Sequence, residues 1–424
     1  MTSKLVDRTL SYMATGVGAV PVRIFFSLSS EPLRFRTFGD KPTDGGDLND
    51  KHFDKFFSGS YLITIVAAGV ANKVLHAAGT TQTFYTDKAI ADYFRRHGLD
   101  ECGIWDCLDT DALNNLSADA RWAYSASKPL AIIEELTRAR GNGQKLPLLF
   151  QDTDLVLRQS FDTILKRTAD LPAIAALHIE EAATEFYPPF EKVTPSLPAK
   201  KFQLTQDGRL WHLTSDHIYR TNLPAANTGL MLLNDYDLAE EWAHLFGDMI
   251  LNNFLADYDW LRGEQLLLAC DQKTSPMVTD RRKVELATFL PISWTGTQFI
   301  DIQSRQTDNR WHFYHPHIAN ASYRREINHL WIEKGSIEMQ ASYSNFFGRL
   351  YLELLRQMCP VAKISWRRLE ESLRSFPALE SYFRLLDTGQ TIEELLAEES
   401  VKPVEKRLID NKLLRLSEPL IPEV

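Results

Sequence analysis

What most constrains the fold of this chain is an alternation of segment types over its first 154 residues, each segment ended by its own stop signal. Val22–Phe26 (VRIFF) is a short apolar run rich in strand formers, running out into Ser27-Leu28-Ser29-Ser30. A polar, glycine-rich stretch at 34–53 follows and reads as a loop. Phe57 to Ala78 places Tyr61, Ile65, Ala68 and later Leu75 at helical spacing, and Gly79 supplies the stop. Thr81–Thr86 is a strand candidate ending at Asp87; Lys88–His97 is a helix closed by Gly98; Gly103–Leu108 is a weaker strand. Ala118–Arg140 is helical, with Pro129 a point of interruption and Gly141 and Gly143 at its end. Leu146–Phe150 (LPLLF) leads directly into Asp152-Thr153-Asp154. The order β-α-β-α-β-α-β predicts a parallel sheet with helices on both faces. Ligands of such sheets bind beyond the carboxyl ends of the strands. Ser27–Ser29, Asp87 and Asp152–Asp154 all fall at those ends.

The second half is more mixed. Ala173–Phe186 reads as a helix. Residues 187–225 carry Pro188, Pro189, Pro195, Pro198 and Pro224 and read as irregular, with a hairpin at Asp207-Gly208. Asn227–Leu233 is a strand candidate, Tyr236–Leu255 and Gly263–Cys270 are helices, and Glu285–Leu290 and Arg310–Tyr314 are further strand candidates. From Gly335 the pattern is almost wholly helical. With 424 residues, 44% of them apolar, the chain can bury a large core, as two or three units or one elaborated α/β domain. A net charge of -9 argues against general binding to nucleic acid or anionic lipid. Cys102, Cys107, Cys270 and Cys359 form no C-x-x-C pair and no zinc spacing, which points to reduced thiols in a cytoplasmic protein. Val17–Phe26 is broken by Gly18, Pro21 and Arg23 and lacks a clean cleavage site, so no signal peptide is expected. No stretch reaches the ~18 apolar residues of a membrane span.

Four Asp-x-Asp tripeptides occur, at 109/111, 152/154, 235/237 and 257/259. Only the pair Asp152 and Asp154 follows a strand-like run and precedes another apolar stretch, Leu155-Val156-Leu157. Carboxylates there would sit in a partly dry cleft. The others read as solvated turns or caps, with Asp109 and Asp111 starting the next helix. Paired carboxylates suit a hard divalent ion, Mn²⁺ or Mg²⁺, which takes oxygen ligands and neutralises a departing diphosphate.

At these residues the chain resembles the GT-A glycosyltransferases. The likeness lies in LPLLFQDTD at 146–154, in AANTGLMLLND at 225–235, and in YTD at 85–87, and covers roughly residues 20–320. It implies a GT-A-like, Rossmann-type mixed sheet flanked by helices, with a helical C-terminal extension. Residues 1–334 would be the catalytic domain, with a nucleotide-sugar half at 20–160 and an acceptor half at 161–334; 335–424 would be the helical region. It implies a UDP- or GDP-sugar donor and a glycan, lipid-linked or small-molecule hydroxyl acceptor. Asp152 would contact donor sugar or ribose and share the metal with Asp154. Lys128 would meet the nucleotide phosphates, or be an exposed helical lysine. Ser27 and Asp87 would line the donor site, Asp87 alternatively capping a helix. Asn227, Thr228 and Gly229 would line the pocket, glycine letting a sugar approach the backbone, or form an ordinary turn into a strand. His315 or His317, the latter preferred, would bind metal or diphosphate, although the His-x-x-Gly-x-x-Lys pattern of some retaining families is absent. Glu264 would be a base or hold the acceptor, or be a first-turn glutamate favoured by the helix dipole. Trp211, Trp260, Trp294 and Trp311 lie where the acceptor would bind.

Two other readings stand beside it. A sugar-phosphate nucleotidyltransferase usually has a glycine-rich, Arg-containing loop after the first strand, where this chain has Ser27-Leu28-Ser29-Ser30-Glu31-Pro32. An inert GT-A-like scaffold could bind a partner or glycan. There is no G-x-S-x-G elbow, P-loop or G-x-G-x-x-G fingerprint. Arg281-Arg282-Lys283 reads as a solvated loop.

Overall fold

A computed structural model describes residues 20–30, 33, 48–57, 59–110, 127–143, 145–153, 155–157, 161, 171–180, 201–203, 210–212, 219–220, 223–251, 272–289, 313–314, 337–391 and 394. Within them the chain forms a seven-stranded mixed sheet flanked by helices, with helices also making up the C-terminal region. In chain order the elements of the first half are β1 (Arg23–Leu28), α1 (Asp50–Phe56), α2 (Gly59–Leu75), β2 (Thr81–Thr86), α3 (Lys88–Arg96), β3 (Asp106–Asp109), α4 (Ser127–Gly141), β4 (Leu148–Gln151) and β5 (Val156–Leu157). The second half adds β6 (Ile174–Glu180), β7 (Lys201–Gln203), β8 (Leu210–His212), β9 (Ala225–Leu233), α5 (Tyr236–Leu251), α6 (272–282), β10 (Ala287–Thr288), β11 (Phe313–Tyr314), α7 (Ile337–Val361), α8 (Trp366–Arg374) and α9 (Glu380–Asp387).

The large sheet runs β10-β6-β9-β4-β1-β2-β3. β1 to β4 are mutually parallel, as the alternation of segments requires, and β9 alone is reversed. The side chains alternate faces. Ile24, Phe26 and Leu28 of β1, Leu149 of β4 and Leu230 and Leu232 of β9 enter one core with α2, α3 and α7–α9. Phe25, Leu148, Phe150, Met231 and Leu233 enter the other with α4, α5 and α6. Burial on both faces explains why these strands read as continuous apolar runs.

Punctuation holds well. Gly98 and Gly143 take positive φ just past the ends of α3 and α4, as their stop role demands, whereas α2 already ends at Leu75 and Gly79, also at positive φ, sits in the turn over 77–80 that leads into β2. Pro129 sits in the first turn of α4, where its missing N–H costs nothing. The hairpin around Asp207-Gly208 appears as the antiparallel pair β7/β8.

Three readings need correction. Ala173–Phe186 is not helical at its start: Ile174–Glu180 is β6, between β9 and β10. Its alanines suit a helix locally, but two sheet neighbours and burial on both sides override that preference. Asp109 does not cap a helix; it ends β3 and makes a bidentate pair with Arg95 at 3.0 Å. Arg281 and Arg282 are not in a loop; both end α6 and pair with Glu241. Residues 252–271, with the expected helix Gly263–Cys270, lie outside the described residues.

The C-terminal helices are part of the main core. Tyr351, Leu352, Leu355, Leu369, Phe376 and Phe383 are buried in one cluster with α2 and the sheet. Gly348 of α7 lies so close to Tyr382 of α9 that a Cβ there would meet the ring at 2.3 Å.

Candidate functional site

The site is assembled at the C-terminal edge of the parallel strands. β4 ends at Gln151, and the Asp152 amide donates to the Gly229 carbonyl at 2.8 Å, the next rung of the β4/β9 ladder. The backbone of Asp152 is therefore fixed by the sheet. The Leu155 amide then donates to the Asp152 carbonyl at 3.1 Å, closing a tight turn over 152–155. Leu155, Val156 and Leu157 are buried and anchor its far side. Thr153 points inward, its hydroxyl 2.8 Å from Tyr61 Oη on α2.

Lys128, second residue of α4, supplies the charge partner. Its Nζ lies 3.1 Å from Asp152 Oδ1 and 3.4 Å from Thr228 Oγ1, and 4.9 Å from the centre of the Phe150 ring. The lysine side chain is 10% exposed and that of Asp152 32%. Lys128 is thus no solvated helical lysine: its ammonium is held at the site by a carboxylate, a hydroxyl and an aromatic face. It also sits in the first turn of a helix, where the dipole adds positive potential.

β9 contributes through an irregularity. Against β6 its register passes from Ala176↔Met231 to His178↔Asn227, so Thr228, Gly229 and Leu230 stand opposite Leu177 alone. The Asn227 side chain stabilises this bulge by accepting from the Gly229 amide at 3.0 Å. Bulges of this kind re-aim side chains, and this one turns Thr228 to Lys128 while Gly229 meets Asp152. The segment is a bulged strand, not a simple turn into one.

Ser27, next to last in β1, is half-buried and lies 3.5 Å from the Ser127 hydroxyl, joining the β1 tip to the start of α4. Asp87 is fully buried. One carboxylate oxygen caps α3 through the Ile90 amide at 3.0 Å and the other accepts from the Ser30 amide, so it shapes the loop after β1. Beside it the hydroxyls of Ser30, Thr86 and Thr110 are buried and have no hydrogen-bond partner among the described residues.

Of the residues singled out from the sequence, the structure brings together Asp152, Lys128, Asn227, Thr228 and Gly229, with Ser27 beside them. Asp154, Glu264, His315 and His317 lie outside the described residues. The β5/β11 ladder pairs Tyr314, which precedes His315, with Val156, two positions after Asp154. Among the described residues no three His, Cys, Asp or Glu side chains gather as a metal cluster, and no helix is long and apolar enough to cross a membrane.

No family model and no curated protein matches the chain. Solved structures do. The apo form of mouse xyloside xylosyltransferase 1 is 13% identical, over 61% of this chain and 84% of that one, with a TM-score of 0.31. The apo WbbM bifunctional glycosyltransferase is 9% identical, over 60% of this chain and 45% of that one, with a TM-score of 0.26. At such TM-scores neither likeness bears on what this chain does.

Sequence reasoning missed Ser127, Tyr61 and Thr153. Ser127 was legible only as a neighbour of Lys128. Tyr61 read as part of an apolar stripe, whereas α2 is buried almost all round, from Leu62 to Ala71, between the sheet and α7. Polar atoms on such a helix must find internal partners, which is the signal that was available.

Proposed function

We propose that this chain is a metal-dependent glycosyltransferase that moves a sugar from a UDP- or GDP-linked donor to a hydroxyl acceptor on a glycan, a lipid-linked saccharide or a small molecule. The observation that carries the reading is the contact of Lys128 with both Asp152 and Thr228. Three segments far apart in sequence, each singled out for donor binding, meet there at the carboxyl ends of parallel strands.

Each group has a task. The Lys128 ammonium, at a helix N-terminus, attracts the donor diphosphate and offsets the charge that grows as the sugar–phosphate bond breaks. It also holds the Asp152 carboxylate on a backbone already fixed by Gly229. Thr228 restrains the ammonium, and the buried Gly229 fixes the Asp152 backbone by accepting from its amide. Ser27, partly exposed at the tip of β1, stands at the edge on which the nucleoside would lie.

A half-exposed carboxylate on a rigid turn is donor chemistry that suits Mn²⁺ or Mg²⁺, and Asp152 with Asp154 would hold it. The pairing of Tyr314 with Val156 supports His317 or His315 as the further ligand. Such an ion would supply Lewis-acid stabilisation of the leaving diphosphate. Glu264 would take the acceptor proton or hold the acceptor.

Thermal melting tests the reading. UDP or GDP with Mn²⁺ should raise Tm, and EDTA should abolish the shift. Slow donor hydrolysis without acceptor should accompany it. Stabilisation without hydrolysis would mark an inert binding protein, and no shift with either nucleotide would defeat the proposal.

A further inference from the structure

The face of the sheet covered by α2 carries three amide side chains in an otherwise apolar core. Gln82 of β2 is 7% exposed, Asn72 of α2 is 2% and Gln151 of β4 is 0%. Uncompensated amides there would be costly, and these are bonded in one continuous chain that leaves only the Asn72 carbonyl oxygen without a partner among the described residues. The Asn72 amide nitrogen donates to both Gln82 Oε1 at 2.8 Å and Gln151 Oε1 at 3.0 Å. Gln82 Nε2 donates to the Gly69 and Ile104 carbonyls. At the other end Gln151 Nε2 donates to the Leu155 carbonyl at 2.6 Å.

The directions are mutually locked. Both glutamine carbonyls face the two N–H donors of Asn72, and both glutamine NH₂ groups are committed to backbone carbonyls, so the orientation of each amide follows from its neighbours. The chain ends on the residue that closes the turn bearing Asp152. That turn has a second attachment to the same helix, the 2.8 Å contact between Tyr61 and Thr153. Tyr61 and Asn72 lie eleven positions, about three turns, apart on α2.

We infer that α2 is a positioning element: through Asn72–Gln151 and through Tyr61 it clamps the 152–155 turn at two points and fixes where the Asp152 carboxylate stands. Apolar side chains would fill this volume as well, so packing alone gives no reason for three amides. Their bonds are directional, and the last is spent on the turn. None of the three touches substrate; Gln151 and Tyr61 act through the turn, and Asn72 through Gln151. The role in catalysis rests on the glycosyltransferase reading, while the clamp itself does not.

The test uses the full chain with Gln151→Met, which keeps volume and removes the donor to Leu155, and Tyr61→Phe, which removes one hydroxyl. Hydrogen–deuterium exchange is read on peptides covering 151–157 and, as an internal reference, 23–28 of β1. The expected result is roughly tenfold faster exchange over 152–157 in each variant with the β1 peptide as protected as in the parent. Stabilisation by UDP plus Mn²⁺ should weaken in parallel. Unchanged exchange at the turn, or a rise matched in β1, overturns the inference and reduces the amides to core packing. If Gln151→Met does not fold, Tyr61→Phe decides. If the parent protein is not stabilised by UDP or GDP with Mn²⁺, the glycosyltransferase reading falls and the exchange result still decides the clamp.

Discussion

The two faces of the sheet bury polar groups of different kinds. Under α2 the network is neutral, Gln82–Asn72–Gln151, and ends on backbone carbonyls. Under α4 it is charged. Arg23 Nε lies 2.5 Å from Glu135 Oε1, the Tyr85 hydroxyl donates to Glu135 Oε2, and about two turns to the N-terminal side Lys128 meets Asp152. Burial first, and then the Glu135 charge, push the Tyr85 phenol well above its ordinary pKa, so it stays a hydrogen-bond donor. A neutral chain fixes geometry with little long-range field. A buried charge exerts field but must be paired, and its partner becomes a point of vulnerability. The molecule places the first kind behind its candidate site and the second kind in it.

This contrast can be broken experimentally. The largest expected effect is on stability: Glu135→Leu should cost about 3–5 kcal/mol in urea unfolding, because Arg23 is left buried and unpaired. Replacing both partners, Arg23→Met with Glu135→Leu, should recover most of that loss; a double variant no better than the single one would show that the pair is not the cause. Next come Asp152→Asn and Lys128→Met, each expected to lower turnover about 10²–10³-fold with folding retained. As direct neighbours they should be strongly non-additive when combined. Near-normal turnover in both would remove the charged edge from the chemistry. On the α2 face, Gly348→Ala forces a Cβ against Tyr382 and should cost about 1–3 kcal/mol while turnover at low temperature persists. Lost turnover with unchanged Tm would place the site's supports further into the C-terminal helices than the contacts suggest.

The smallest effect concerns pH. His97, on the α2 face, stacks on Phe376 at 4.1 Å and its Nδ1 lies 2.6 Å from the Ser375 hydroxyl. Burial lowers its pKa below the ordinary value of 6.5, against the opposing pull of Asp50 and Asp54. The unfolded chain therefore binds a proton more readily than the folded one. Its contribution is complete above about pH 6.5 and is lost as pH falls toward the lower folded value. Urea midpoints measured between pH 7.5 and 5 should fall less in His97→Gln than in the parent. His244, whose pKa burial also lowers, makes the same kind of contribution from α5 and remains in both proteins.

The sequence alone determined the parallel half of the sheet, because strand-forming runs, helical spacing and glycine stops are local signals, and their order leaves little topological freedom. It also marked Asp152, Lys128 and Asn227–Gly229 as belonging together, since each followed or opened an element at the expected edge. Tertiary structure decided the rest. Ile174–Glu180 became a strand because β9 and β10 flank it, an influence that no window of seven residues contains. The burial of Lys128 against Asp152 and Thr228 needed three segments to meet. Asn72, Gln82 and Gln151 look like stray polar residues until they are seen bonded in one line. Hydrogen bonds between residues 10 and 79 positions apart are set by packing geometry, which the order of residues specifies only through the fold as a whole.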